Sequence, residues 1–276
     1  MFQKNYYCLV AGLKEYTLDS DTKGFDVSEI LDEIYEQISS ADAELIRLLY
    51  GYYDCENLLS HRAGRSAHNP LGNLSAEQIA EEYAAPKSLP EWMARVIRAE
   101  ADPEGEDAEV VDLSQGFERV LMAAYYAECA RSKSRFLREW AAFDRNLRNV
   151  AAALRARDLQ RPIEETVVGG GDVVEQLMRS SAADFGLRGE LSYIDAVIAA
   201  CDEQNLLDKE HKIDKIRWDE AESLVWADYF NIDAILAYLV RINIVARWMQ
   251  LDERRGRQML ATLMAELDGK ELINKQ

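Results

Sequence analysis

Histidine is nearly absent from this 276-residue chain: His61, His68 and His211 are the only three, and none has a second histidine three or four positions away. A helix-face zinc site is therefore unsupported, and the paired Glu-x-x-His motifs of a di-iron bundle are missing as well. Cysteine is as scarce. Cys8, Cys55, Cys129 and Cys201 stand far apart, with no close pair to form a metal knuckle or redox motif, so the chain reads as reduced and cytoplasmic. With 5 prolines and 14 glycines, little interrupts a sequence rich in Ala, Leu, Glu and Arg, which favours helix nearly everywhere. Basic residues are the remaining shortage, 32 Lys and Arg against 50 Asp and Glu, for a net charge of −18. Nucleic acid is bound by excess Lys and Arg and is excluded as a partner. Docking on anionic lipid is disfavoured on the same ground, which leaves proteins with basic faces.

Long charge-free apolar runs are also lacking. The longest candidate, Ile232 to Met249, carries Asp233, Arg241, Asn243 and Arg247, which marks a buried core helix and no membrane span. The opening residues reach only a short apolar run before Lys14 and Glu15, too little for a signal peptide. No nucleophile elbow and no Cys–His dyad with supporting spacing occurs. The run Gly169-Gly-Gly-Asp172 precedes a helix start but lacks the GK[ST] of a phosphate-binding loop and follows no strong strand. Acidic pairs such as Glu81-Glu82 and Glu164-Glu165 read as solvated helix faces. No residue is nominated as catalytic, cofactor-binding or metal-ligating, and no cofactor is expected.

What is present is helical patterning. Tyr6 to Leu13 is either a short strand or the opening of a helix, and Asp19 to Gly24 is a polar turn. Asp26-Val-Ser-Glu29 has the form of a capping box, with Phe25 placed to staple onto Ile30, and this helix runs to about Ile38. Ser39 or Ser40 caps the next. Ala63 to Asn73 is a loop, Ser75 to Gln78 caps a short helix, and Pro90 sits at a tolerated first-turn position of another. Ala101 to Asp107 is an acidic linker and the best lobe boundary, giving lobes over 1–101, 108–160 and 172–276 of one domain.

From Phe117 to about Asp158 there is neither Gly nor Pro, and Phe136, Trp140, Phe143, Leu147, Val150 and Leu154 recur at coiled-coil spacing. Unbroken, such a helix would be roughly 60 Å long at about 1.5 Å per residue, so the molecule is elongated or the helix bends near Asp144. Asp172 can cap a helix to about Ser180. Four amphipathic helices follow, over Leu191–Leu207, His211–Asp228, Asn231–Met249 and Arg254–Leu267.

The chain is organised around Arg47 to Arg62, where an apolar stripe (Leu45, Leu48, Leu49, Tyr52, Leu59) meets the polar residues Asp54, Glu56 and Asn57. A related junction returns at Phe143 to Leu147 and again at Asp228 to Ile232, a spacing of roughly 85 to 90 residues that suggests one supersecondary unit used three times. Taken singly, each has a bland reading: short polar side chains that mark a bend or the start of a turn.

Four stretches carry a resemblance: Tyr6-Tyr-Cys-Leu-Val-Ala-Gly-Leu13, Tyr53-Asp-Cys-Glu-Asn-Leu-Leu59, Phe143-Asp-Arg-Asn-Leu-Arg-Asn149 leading to Leu154-Arg-Ala-Arg157, and Asp228 to Trp248 with its Leu-Ala-Tyr signal. The chain resembles the C-subunit family of V/A-type ATPases, also called the d-subunit family, and most closely a bacterial family of unassigned function that stands in for it. The resemblance implies an all-helical, funnel-shaped protein of three similar parts. It also implies a place on the cytoplasmic face of the membrane, between the central-stalk subunits and the proteolipid ring of a rotary ATPase, transmitting torque for ion transport without an active site. One departure stands out. Where that family's final helix often carries an acid about one and a half turns after the Leu-Ala-Tyr signal, this chain has Asn243 and Val245. Two rival readings are a free-standing cytoplasmic scaffold or adaptor, and an enzyme whose site is built from scattered carboxylates in a helical bundle.

Overall fold

The structure is a computed structural model that describes residues 4–18 and 25–251. The polar turn expected over Asp19–Gly24 and the last helix expected over Arg254–Leu267 lie outside the described residues. Among those described, the secondary structure is entirely helical, as the composition demands. The α-helices are α1 (Tyr7–Gly12), α2 (Val27–Gln37), α3 (Ser40–Arg62), α4 (Ala76–Ala84), α5 (Glu91–Ala101), α6 (Glu106–Val110), α7 (Phe117–Ala130), α8 (Arg135–Asp158), α9 (Asp172–Arg179), α10 (Ile194–Cys201), α11 (Leu206–Ser223) and α12 (Ile232–Leu251).

Local chemistry sets most of these boundaries. Asp26 caps α2 by accepting from the Ser28 N–H at 2.8 Å, and Phe25 packs edge-on against Tyr16 with ring centres 4.8 Å apart. Ser39 caps α3 through the Asp42 N–H. Ser75 and Gln78 form a reciprocal capping box at α4. The ambiguous segment after Tyr6 is helix α1, tied to α12 and the residues just before it by the Tyr6 N–H donating to the Phe230 carbonyl at 2.6 Å and the Tyr238 hydroxyl to the Lys14 carbonyl at 3.1 Å. At α9 the cap position belongs to Gly171, whose φ of 104° only glycine adopts comfortably, and Asp172 is the first helical residue. Its carboxylate still favours that end through the helix dipole.

The single long helix expected over 117–158 is two helices. The break lies at 131–134, not near Asp144, and serine chemistry causes it. The Ser134 N–H donates to the Ser132 hydroxyl at 3.2 Å, and Ser134 then caps α8 by accepting from the Leu137 N–H at 3.0 Å. Short hydroxyl side chains offer the backbone an alternative to helical bonding, and two in three residues suffice here. The seam itself holds: Phe136, Trp140, Phe143, Leu147, Val150 and Leu154 are all buried, each stabilising by roughly 1.5–3 kcal/mol relative to exposure.

Two apolar clusters form the core. The larger gathers α1, α2, the first half of α3, and α8 to α12, with Ile34, Ile46, Tyr50, Phe136, Leu147, Leu177 and Leu239 among its buried members. The smaller gathers the second half of α3 with α4, α5 and α7, through Cys55, Leu58, Ile79, Met93, Val96 and Leu121. Helix α3 is thus the spine shared by both. The acidic segment 101–107 does not separate packing units, because Met93 before it and Phe117 after it lie in the same cluster. Arg95 and Arg98 of α5 pair with Asp107 at 3.4 and 2.6 Å, folding that segment back against its own helix.

Candidate functional site

Helices α3, α7, α8, α11 and α12 surround an open cleft of about 720 Å³. Its walls combine aromatic rings (Tyr52, Tyr53, Tyr126, Trp140) with a ladder of alternating charges. The ladder begins on α11 and α12, where Glu210 pairs with Arg247, and Arg247 reaches Asp214 at 2.7 Å. Asp214 also takes the Trp248 indole N–H at 2.9 Å and lies 3.7 Å from Arg217. Arg217 crosses to α8 and binds Asp144 at 2.6 Å. Asp144 in turn holds Arg148 at 2.8 Å and accepts from the Tyr126 hydroxyl at 2.8 Å. Arg148 covers the face of Tyr52 at 4.6 Å.

The placement follows from helix spacing. Asp144 and Arg148 are four apart on α8, and Asp214 and Arg217 three apart on α11, so each pair projects from one side of its helix. Asp144 and Asp214 are buried among apolar neighbours, and each is met by more than one donor. Burial alone would push the Asp144 carboxyl up. The Arg148 and Arg217 charges, with the Arg148 and Tyr126 hydrogen bonds, hold it well below the usual carboxylate range. Burial also pushes the Tyr52 and Tyr53 hydroxyls far up, which keeps them protonated. In this state the cleft holds charges engaged with one another: Asp144 is a poor proton carrier near neutral pH.

Polar residues at the first junction and just after the second anchor loops, and those of the third cap a helix. In the first, the Asn57 amide clamps both backbone groups of one residue of the following loop, donating to the Asn69 carbonyl at 3.0 Å and accepting from the Asn69 N–H at 2.6 Å. Asp54 receives the Asn73 amide at 2.6 Å and the Leu74 N–H at 3.2 Å, and Glu56 receives the Asn69 side chain at 3.1 Å. The second junction repeats the clamp one turn on, with Asn149 donating to the Val168 carbonyl at 2.9 Å and accepting from the Val168 N–H at 2.8 Å. In the third, Asn231 accepts from the Ala234 N–H at 3.2 Å and binds Asp228 at 2.7 Å, at the start of α12. The bland reading as a helix start fits that third copy. At the first two junctions α3 and α8 run on unbroken: Asp54, Glu56 and Asn57 hold a loop at the first, whereas at the second Asp144 joins the ladder and Asn149, just beyond, holds the loop.

Sequence reasoning nominates no site residue and so misses the ladder. Its signal is legible all the same: charges at helical spacing on faces otherwise apolar, Asp144 amid the α8 seam and Asp214 opposite the charges already noted in α12. Of the acidic pairs expected to be solvated, Glu81, Glu164 and Glu165 are exposed, and Glu82 is the exception. It is buried, and it binds the loop after α4 by accepting from the Ser88 hydroxyl at 2.5 Å and the N–H groups of Lys87, Ser88 and Leu89 at 2.7, 3.1 and 3.3 Å. Of the histidines, His211 packs its ring against Trp248 at 5.5 Å beside the cleft, and His61 against Tyr83 at 5.4 Å. Among the described residues no group of three or more His, Cys, Asp or Glu is arranged to hold a metal.

The sequence model of one family matches residues 3–269, nearly the whole chain. The chain belongs to the DUF2764 family, whose description is "Protein of unknown function". No curated protein and no solved structure matches it. Membership extends over both apolar clusters and every element that lines the cleft, so the ladder and the loop clamps lie within the family's span.

Proposed function

We propose that this protein is a non-catalytic coupling component of a V/A-type rotary ATPase, seated between the central stalk and the membrane proteolipid ring. One observation carries the reading. The four stretches that resemble the C-subunit family are scattered from Tyr6 to Trp248, yet three of them meet at one cleft: Tyr53 and Glu56 from the second, Asp144, Leu147 and Arg148 from the third, Val240, Asn243, Ile244 and Arg247 from the fourth. A cleft framed by stiff helices and cross-braced by paired charges suits a part that receives another protein's tip and passes force. One turn of α-helix occupies roughly 400 Å³ at a diameter of about 10 Å. A cleft of about 720 Å³ therefore accommodates the end of a helix, not a whole rod. At the position where the resembled family often has an acid, Asn243 accepts the Tyr50 hydroxyl at 2.9 Å, which ties α12 to α3 without introducing another buried charge.

The test is composition. Rotary ATPase solubilised in detergent from the source cell is expected to contain this chain at about one copy per complex. Its consistent absence from purified complexes that retain stalk and ring rejects the proposal.

A further inference from the structure

The largest exposed apolar groups among the described residues gather at one place. Trp226, Tyr229 and Phe230 sit on the α11–α12 connection, and Tyr7 of α1 packs on Phe230 with ring centres 4.8 Å apart. Trp226, Tyr229 and Tyr7 are 76%, 67% and 58% exposed. Leaving so many rings in water at one spot is costly and calls for a partner.

The neighbouring segment identifies it. The α7–α8 connection is fastened to the same α11–α12 segment by Arg135, which binds Asp228 and the Leu224 carbonyl at 2.8 Å, and by the Ser134 hydroxyl donating to Asp233 at 2.5 Å. From Arg131 to Arg138 this connection carries Arg131, Lys133, Arg135 and Arg138 and no acid, in a chain whose net charge is −18; the flanking Glu128 and Glu139 pair with Arg131 and Arg135 at 3.4 and 3.0 Å and leave Lys133 and Arg138 without a carboxylate partner among the described residues. Arg131, Lys133 and Arg138 are exposed, and Lys4 adds a further exposed cation beside α1. Trp and Tyr side by side with Lys and Arg is the composition that settles at a bilayer surface, rings at the headgroup level and cations on phosphate.

We infer that this end of the molecule docks on an anionic lipid headgroup layer. The acidity of the whole chain argues against such docking only at long range. At physiological salt, charges more than about 8 Å from the contact are largely screened, so the local basic cluster decides, not the total. The inference goes beyond the coupling role and does not depend on it, since the isolated chain carries the entire surface.

Co-sedimentation of the full chain with vesicles tests it, using phosphatidylcholine alone and phosphatidylcholine with about a third phosphatidylglycerol, at about 0.15 M salt. The expected result is binding to the anionic vesicles, weakened by about tenfold or more on neutral ones. Two variants carry the assignment: Trp226→Ser with Tyr229→Ser, and Arg131→Glu with Lys133→Glu. All four positions are exposed, so both variants are expected to keep the wild-type circular dichroism and melting point, and both to lose most of the binding. Brominated lipid should quench wild-type tryptophan fluorescence and fail to quench a Trp226→Phe variant. Equal binding to neutral and anionic vesicles, or unchanged binding in either double variant, overturns the inference. No vesicle binding at all overturns it too and gives the patch to a protein partner.

Discussion

Replacing Asp144 by asparagine keeps the side chain's shape and removes its charge, which makes it the most direct probe of the ladder. The carboxylate is buried and serves Arg148, Arg217 and Tyr126 together. Removing one partner of a buried ion pair typically costs about 3–5 kcal/mol, because the remaining charge is left uncompensated. Here the two arginines differ. The Arg217 side chain is only 15% exposed, and its other carboxylate, Asp214, lies at 3.7 Å, so it bears most of the loss. Arg148 is 39% exposed and keeps water and the Tyr52 ring. The expected cost of Asp144→Asn is therefore near the lower bound, about 3 kcal/mol. With a urea slope of about 3 kcal/mol/M, the unfolding midpoint falls by about 1 M. Arg148→Gln, at the wetter end, should cost about 1 kcal/mol or less. A midpoint shift for Asp144→Asn no larger than that for Arg148→Gln refutes the reasoning, since it would mean that water screens the whole ladder equally.

Acid should reveal the same group. The folded Asp144 carboxyl lies below its ordinary value, so the folded state binds fewer protons at this site than the unfolded one. Its contribution is present above the unfolded value near 3.9 and is lost as pH falls from there toward the folded value. Wild-type protein should lose stability over that interval more steeply than Asp144→Asn, which has nothing to titrate there. Asn57→Ala and Asn149→Ala each strand a loop N–H and carbonyl, and each should cost about 1–3 kcal/mol, with amide hydrogen exchange accelerated first in the clamped loop. Gly72→Ala should destabilise by a similar amount, about 1–3 kcal/mol, because an added Cβ would stand 2.6 Å from the Asn57 amide nitrogen and 2.8 Å from an Asp54 oxygen, both already held in hydrogen bonds; urea titration reads it. Burial pushes the Cys129 thiol up to about 12 and the Cys55 thiol far up, whereas Cys8 is exposed. A disulfide reagent at neutral pH should thus modify Cys8 at once, and Cys55 and Cys129 only on unfolding.

The helices are legible in the sequence because their causes are local. Apolar spacing marks the α8 seam, serine marks the caps of α3 and α4, and charges inside an apolar run mark α12 as a core helix. What resists is anything decided by a partner far along the chain. Gly and Pro are the loudest breaks in a helical pattern, and a break made by Ser132 and Ser134 leaves no comparable mark. It becomes plain only where Ser134 caps one helix and binds Asp233, 99 residues on. The acidic segment 101–107 reads as a linker by composition, and only Arg95 and Arg98 turn it into a contact. The junctions stand out by composition, yet the role of Asn57 depends on Asn69 and that of Asn149 on Val168, pairings that no periodicity encodes. The ladder lies between the two cases. Its charges stand at helical spacing on apolar faces, a signal within each helix, but which acid meets which base is decided only where three helices come together.

Why a core should keep such a ladder is itself testable. Replacing a buried ion pair with apolar side chains of similar volume is often neutral or stabilising by about 1–4 kcal/mol, so the charges are not there for maximum stability. They do impose register: Asp144 meets Arg217 only when α8 and α11 stand at one offset, and Asp214 meets Arg247 only when α11 and α12 do. Apolar contacts are tolerant of sliding and would let the walls close over the cleft. The double replacement Asp144→Leu with Arg217→Met should consequently restore most of the stability that Asp144→Asn loses, measured by the same urea titration. The cleft should suffer instead, with amides of α11 exchanging faster than in the wild type although global stability is regained. Recovered stability together with wild-type exchange in α11 would show that the ladder sets no register, and that the cleft stays open for another reason.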